Sequence, residues 1–133
     1  MTWPTPTRFV VAVVDDDSRT LESLAELLEA AGYDVRPYSS GTSAWDQCPW
    51  SAIDCLMSDI GMPDMSGFEL RRLALSKRPE LPVILITGRA EFRAQYASEI
   101  EPDRYFEKPY DGQQLLAAVR NALPPKAPKP QAE

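Results

Sequence analysis

Four separate stretches of the chain end an apolar run on a group able to do chemistry. "VVAVV" runs into Asp15-Asp16-Asp17, "CLMS" into Asp59, "VILI" into Thr87, and "RYFE" into Lys108-Pro109. Burying a lone charge at a strand tip is costly, so Asp59 either caps a turn at the surface or faces other groups in a site. Each residue alone has a plain structural explanation. An aspartate ahead of a helix is usually its N-cap, and Asp17 fits that role. A lone Lys-Pro is usually loop. The coincidence of all four ends, which no packing requirement demands, favours a site.

Two carboxylates about 5 Å apart, at an effective dielectric of about 20, repel by roughly 3 kcal/mol. Three at one edge need compensation. Lys108 can offset one charge, and a divalent cation can offset more. Hard oxygen donors suit Mg2+, which keeps several waters and readily shares a phosphoryl oxygen. A carboxylate can attack phosphorus and form an acyl phosphate. Asp59 is then the nucleophile, the metal and Lys108 stabilise charge on the transferring oxygens, and the Thr87 hydroxyl bonds the new phosphoryl group.

The elements that must position these groups alternate along the chain. Residues 8–14, "RFVVAVV", are rich in β-branched valine and apolar from Phe9 onward, as in a strand covered on both faces. Leu21, Leu24, Leu28 and Ala31 then recur at helical spacing, with Gly32 placed as the stop. "YDVRPYS" reads as a polar strand near an edge because of Pro37. A brief helix over residues 42–48 and a strand ending at Asp59 follow. Ser66 and Glu69 form a capping box that opens a third helix. After the strand "PVILIT", a polar fourth helix is expected over residues 91–98. "RYFE" is the fifth strand, and a fifth helix from Asp111 buries Leu115, Leu116, Val119 and Leu123. This order implies an α/β domain with an open parallel sheet, right-handed crossovers and ligands at the carboxyl ends of the strands.

Composition excludes other chemistries. The chain has no histidine, which removes common zinc sites and histidine acid–base catalysis. Its two cysteines, Cys48 and Cys55, are too few for a disulfide framework. A net charge of -6 argues against direct nucleic-acid binding. No apolar stretch approaches 18 residues, so no membrane span and a cytoplasmic location are expected. Proline-rich residues 1–7 and 124–133 read as an N-terminal tail and a C-terminal tail or linker start, around one domain at 8–123. Trp45 and Trp50 read as structural.

"VVDDD", "SDIGMPDMSG", "ILITG" and "YFEKPY" occur in the order and at the spacing of a known family. Over residues 9–123 the chain resembles response-regulator receiver domains of bacterial two-component signalling. The 43 positions from Asp16 to Asp59 and 28 from Asp59 to Thr87 look most like the FixJ subgroup. The resemblance implies a flavodoxin-like (βα)5 doubly wound sheet with strand order 2-1-3-4-5. It implies that Asp59 accepts a phosphoryl group from a sensor histidine kinase or histidine phosphotransfer protein. Asp16, Asp59 and the Gly61 carbonyl would bind Mg2+, with Asp15 acting through water. Lys108 would pair with the phosphoryl group, and its bond to Pro109 would be cis. Thr87 and Tyr105 would form the switch pair, the ring turning inward as the hydroxyl moves to the phosphate.

The readout implied is the surface of helix four, strand five and helix five, which would control a downstream protein or an effector domain and could form a homodimer. No enzymatic activity is implied beyond the chain's own phosphotransfer and autodephosphorylation. Gly61 and Arg89 flank the acceptor and would tune water attack. The segment from Thr87 to Lys108 departs from the family's pattern, because "RAEFRAQYASEIEPD" lacks a small, glycine-bearing approach to strand five. The alternatives are a degenerate receiver acting as an unphosphorylated docking module, a haloacid-dehalogenase-like Mg-dependent phosphatase using Asp15, and a flavin binder. Three aspartates after strand one would repel a flavin phosphate, and the phosphatase leaves Asp59 unexplained.

Overall fold

The computed structural model describes residues 8–89 and 95–124. Its elements in chain order are β1 (Val10–Val14), α1 (Ser18–Ala30), β2 (Asp34–Tyr38), α2 (Gly41–Gln47), β3 (Cys55–Asp59), α3 (Gly67–Lys77), β4 (Val83–Thr87), β5 (Tyr105–Glu107) and α4 (Gly112–Ala122). Two 3-10 turns, Ala97–Glu99 and Pro102–Arg104, precede β5. The five strands are parallel in the order β2-β1-β3-β4-β5, which is the expected doubly wound sheet.

Alternation along the strands divides the core in two. Val11 and Val13 face α1 and α4 with Leu24, Leu28, Leu115 and Val119. Ala12 and Val14 face the other side, with Phe68, Leu70 and Ala74 of α3. Strands buried on both faces need unbroken apolar runs, and β3 and β4 are buried at every position. β2 is exposed along much of its length and lies at the sheet edge, where Pro37 costs no inner ladder bond.

Helix ends are fixed by local chemistry. Asp17 caps α1 by accepting the amides of Arg19 and Thr20, and Ser66 with Glu69 closes a reciprocal box at α3. Gly32 follows α1 at φ +100°, a conformation that costs glycine little. Asp111 accepts the amides of Gln113 and Gln114 at the start of α4.

The helix expected over residues 91–98 falls partly outside the described residues, at 91–94. In its described remainder Gln95 is helical, and the 3-10 turn Ala97–Glu99 follows. Trp50 is buried and Trp45 packs against the same cluster, with ring centroids 5.7 Å apart. Among the described residues no helix is long and apolar enough to cross a membrane.

Arg78 closes the end of the sheet opposite the strand tips. Its Nη1 donates to the carbonyls of Trp50 at 2.8 Å and Ile53 at 2.5 Å, pinning the approach to β3 against the end of α3. Arg78→Ala leaves both acceptors short of a donor. It should lower stability by about 1–3 kcal/mol in urea unfolding.

Candidate functional site

Strand register carries the polar groups to one edge. Val14 pairs with Ser58, so Asp15 lies level with Asp59. Asp59 pairs with Ile86, which puts Thr87 one step further, and Thr87 pairs with Glu107, next to Lys108. The Lys108 amide donates to the Thr87 carbonyl at 2.7 Å, extending the β4–β5 pairing to the lysine itself.

At that edge the structure brings together Asp15, Asp16, Asp59 and Lys108. One carboxylate oxygen from each aspartate lies within 4.8 Å of the others. The Lys108 ammonium bridges Asp15 Oδ2 at 3.3 Å and Asp59 Oδ1 at 3.2 Å. Asp15 and Asp59 are buried, whereas Asp16 is open to solvent. Three hard oxygen donors with one exposed member fit a divalent cation of the Mg2+ type, which retains waters.

The electrostatics follow from this packing. Burial, and then the charge of Asp15, push the Asp59 carboxyl above its ordinary value, while Lys108 pulls it back only in part. Burial works against the Lys108 ammonium, but Asp59 and Asp15 outweigh it and hold the lysine above its usual range. The ammonium is therefore charged throughout the neutral range. Asp17 contributes differently: the amides of Thr20 and Arg19 hold its exposed carboxyl low, and its own amide donates to Asp15 Oδ1 at 2.9 Å.

The flanking residues are distributed around this cluster. The buried Thr87 hydroxyl accepts the Arg89 amide at 3.0 Å, and the Arg89 side chain is exposed. Gly61 is exposed at the centre of a tight turn in which the Met62 amide reaches the Ile60 carbonyl at 3.0 Å. The Lys108-Pro109 bond is cis. The Tyr105 ring is already inside, 5% exposed, with its hydroxyl donating to Glu107 Oε2 at 3.2 Å.

Two supports escaped the sequence reading. A Cβ on Gly67 would lie 2.5 Å from the Asp59 carbonyl oxygen and 2.9 Å from Ile60 Cα, so α3 begins directly against the backbone of the candidate acceptor. The buried Ser58 hydroxyl donates to the same Asp59 carbonyl at 2.9 Å. The glycine was visible only as a residue beside a capping serine, and its close approach depends on how the elements pack.

A carboxyl whose proton is held more tightly in the folded state destabilises the fold once ionised. That penalty is absent below the unfolded value of 3.8 and fully present above the raised folded value. In divalent-free buffer Asp59→Asn should therefore raise the melting temperature at pH 7. The gain over the parent should shrink as pH falls toward 4, as followed by circular dichroism.

The response regulator receiver domain family model matches residues 11–120. Response regulator protein TmoT of Ectopseudomonas mendocina is 34% identical over 118 residues, 86% of this chain and 52% of TmoT. Transcriptional regulatory protein FixJ of Azorhizobium caulinodans is 34% identical over 119 residues, 89% of this chain and 56% of FixJ. The two identities are equal, so the FixJ subgroup is only weakly supported. The chain spans about half the length of these relatives. Among solved structures, response regulator protein TrrA from Thermotoga maritima, in complex with Mg(2+)-BeF, superposes with a TM-score of 0.78 at 28% identity, covering 86% of this chain and 99% of TrrA. With its sheet order and most of its length matched, this chain belongs to the response regulator receiver domain family.

Proposed function

We propose that this chain, with residues 8–123 as its receiver unit, is a signalling switch phosphorylated on Asp59 by a histidine kinase or histidine phosphotransfer protein. The observation that carries the reading is the Lys108 ammonium, held within 3.3 Å of both Asp15 and Asp59 beside the exposed Asp16. Asp16, Asp59 and the Gly61 carbonyl would hold Mg2+, with Asp15 acting through water, as the donor set fits, and TrrA is in complex with Mg(2+)-BeF. When bound, Mg2+ offsets the carboxylate charge and that of the transferring oxygens.

Asp59 Oδ attacks phosphorus as the bond to the donor's imidazole nitrogen breaks, and the electron pair leaves with the imidazole. Lys108 then exchanges part of its pairing with Asp59 for a phosphoryl oxygen. Thr87 donates its hydroxyl proton to another oxygen while still accepting the Arg89 amide. The added charge of about -1.5 to -2 favours whichever arrangement keeps these donors close. Because the Tyr105 ring is already inside, the switch acts by holding that rotamer more often, not by creating it. The signal leaves through residues 95–104, β5 and α4, toward an output domain or a separate protein. Gly61 adds no side chain over the phosphoryl group and Arg89 overhangs it, so the two tune hydrolysis.

Asp15 is a poor rival acceptor, because its oxygens are already engaged by the Asp17 amide and Lys108. Labelling with a phosphodonor followed by peptide mapping separates the readings. Asp59→Asn should abolish the label and keep the circular dichroism spectrum. A label surviving that change moves the acceptor, and a parent protein that never labels leaves only the docking-module reading. Mg2+ at a hundred times its dissociation constant should stabilise the parent by about 2.7 kcal/mol in thermal unfolding. Asp16→Asn should remove most of that gain.

A further inference from the structure

Helix α3 is strapped to the segment leading into β5 by two contacts one helical turn apart. Phe68, 1% exposed, stacks on Tyr96 with ring centroids 4.1 Å apart and planes 26° from parallel. Four residues on, Arg72 grips Glu99 with both arms, Nη2 to Oε2 at 2.7 Å and Nε to Oε1 at 3.2 Å. A planar fork on a carboxylate fixes orientation as well as distance. Both anchors lie on the helix whose first residue, Gly67, rests on the Asp59 backbone. The strapped segment packs over the core that contains Tyr105, with Tyr96 and Ile100 against the same cluster.

We propose that Arg72 and Glu99 are a positioning pair for the switch: the strap holds residues 95–100 down so that the Tyr105 ring stays buried behind Thr87. The inference rests on the phosphorylation reading above and assigns a control to it. A ligand that favours one arrangement binds more weakly when that arrangement is less populated. With the strap intact, part of the ordering that a phosphoryl group on Asp59 requires is already in place. Neither residue touches the carboxylate cluster, so their effect must run through the segment.

The test titrates beryllofluoride, a phosphoryl mimic, into the Mg2+-loaded protein. Arg72→Gln and Glu99→Gln should each raise its half-saturation about twofold to fivefold, the range a partly exposed ion pair supplies. The half-saturation for Mg2+ alone should not move, because the metal meets the carboxylates and not the strap. The double exchange Arg72→Glu with Glu99→Arg should restore beryllofluoride affinity, and amide exchange across residues 95–105 should quicken in the single variants only. Unchanged or tighter beryllofluoride binding, or single variants that the exchange fails to rescue, would overturn the pair's role. Failure of the parent to bind beryllofluoride would instead strike the phosphorylation reading.

Discussion

Like charges held close are the constraint on which this structure turns. Three aspartate oxygens within 4.8 Å repel, by roughly 3 kcal/mol per pair at an effective dielectric of about 20. One ammonium bridging two of them relieves only part of that, so burial first and the neighbouring Asp15 charge second still hold the Asp59 carboxyl above its ordinary value. A chain keeps such a cluster only if something stiff holds it. Here the stiffness comes from parallel strands whose register leaves Asp15, Asp59 and Thr87 at the tips of buried strands and Lys108 just past the end of β5.

The backbone beneath the cluster is braced as closely as the side chains. Asp59 ends a strand with no exposed residue, its carbonyl is bonded by Ser58, and α3 starts in contact with it at Gly67. Asp15 is steadied by the amide of Asp17, which also caps α1. One short loop therefore fixes a helix start and a charged group together. Such bracing matters because a group aimed in advance needs no reorganisation when a charged partner arrives.

Much of this was legible in the letters. Apolar runs gave the strands, leucine spacing gave α1 and α4, and Ser66 with Glu69 marked the start of α3, because these signals are local and periodic. The four chemical groups were legible because each closes an apolar run. The rest depends on approach between distant segments. The Gly67 contact, the reach of Arg78 to Trp50 and Ile53, and the grip of Arg72 on Glu99 span up to 28 residues, and no local pattern encodes them. The stretch after Thr87 reads as a polar helix over residues 91–98, of which 91–94 lie outside the described residues; Gln95 is helical and a 3-10 turn, Ala97–Glu99, follows, with Tyr96 stacked on Phe68 of α3.

These facts divide the site into unequal halves. β1 and β3 supply the carboxylates from strands paired directly with each other and buried on both sides, and little there can move without breaking the core. Thr87, Tyr105 and Lys108 come instead from β4 and the three-residue β5, joined by a connection whose described residues include helical Gln95 and two 3-10 turns. Free energy from events at the carboxylates will be spent where resistance is least, and that is the second half. Under the proposed phosphotransfer this asymmetry has a use: a rigid acceptor would keep the transferred group in register, and an adaptable neighbour would report its arrival. On that reading, contacts tying the adaptable half to α3 would bear on signalling although they lie outside the charged cluster, by setting how far that half is arranged before any charge is added.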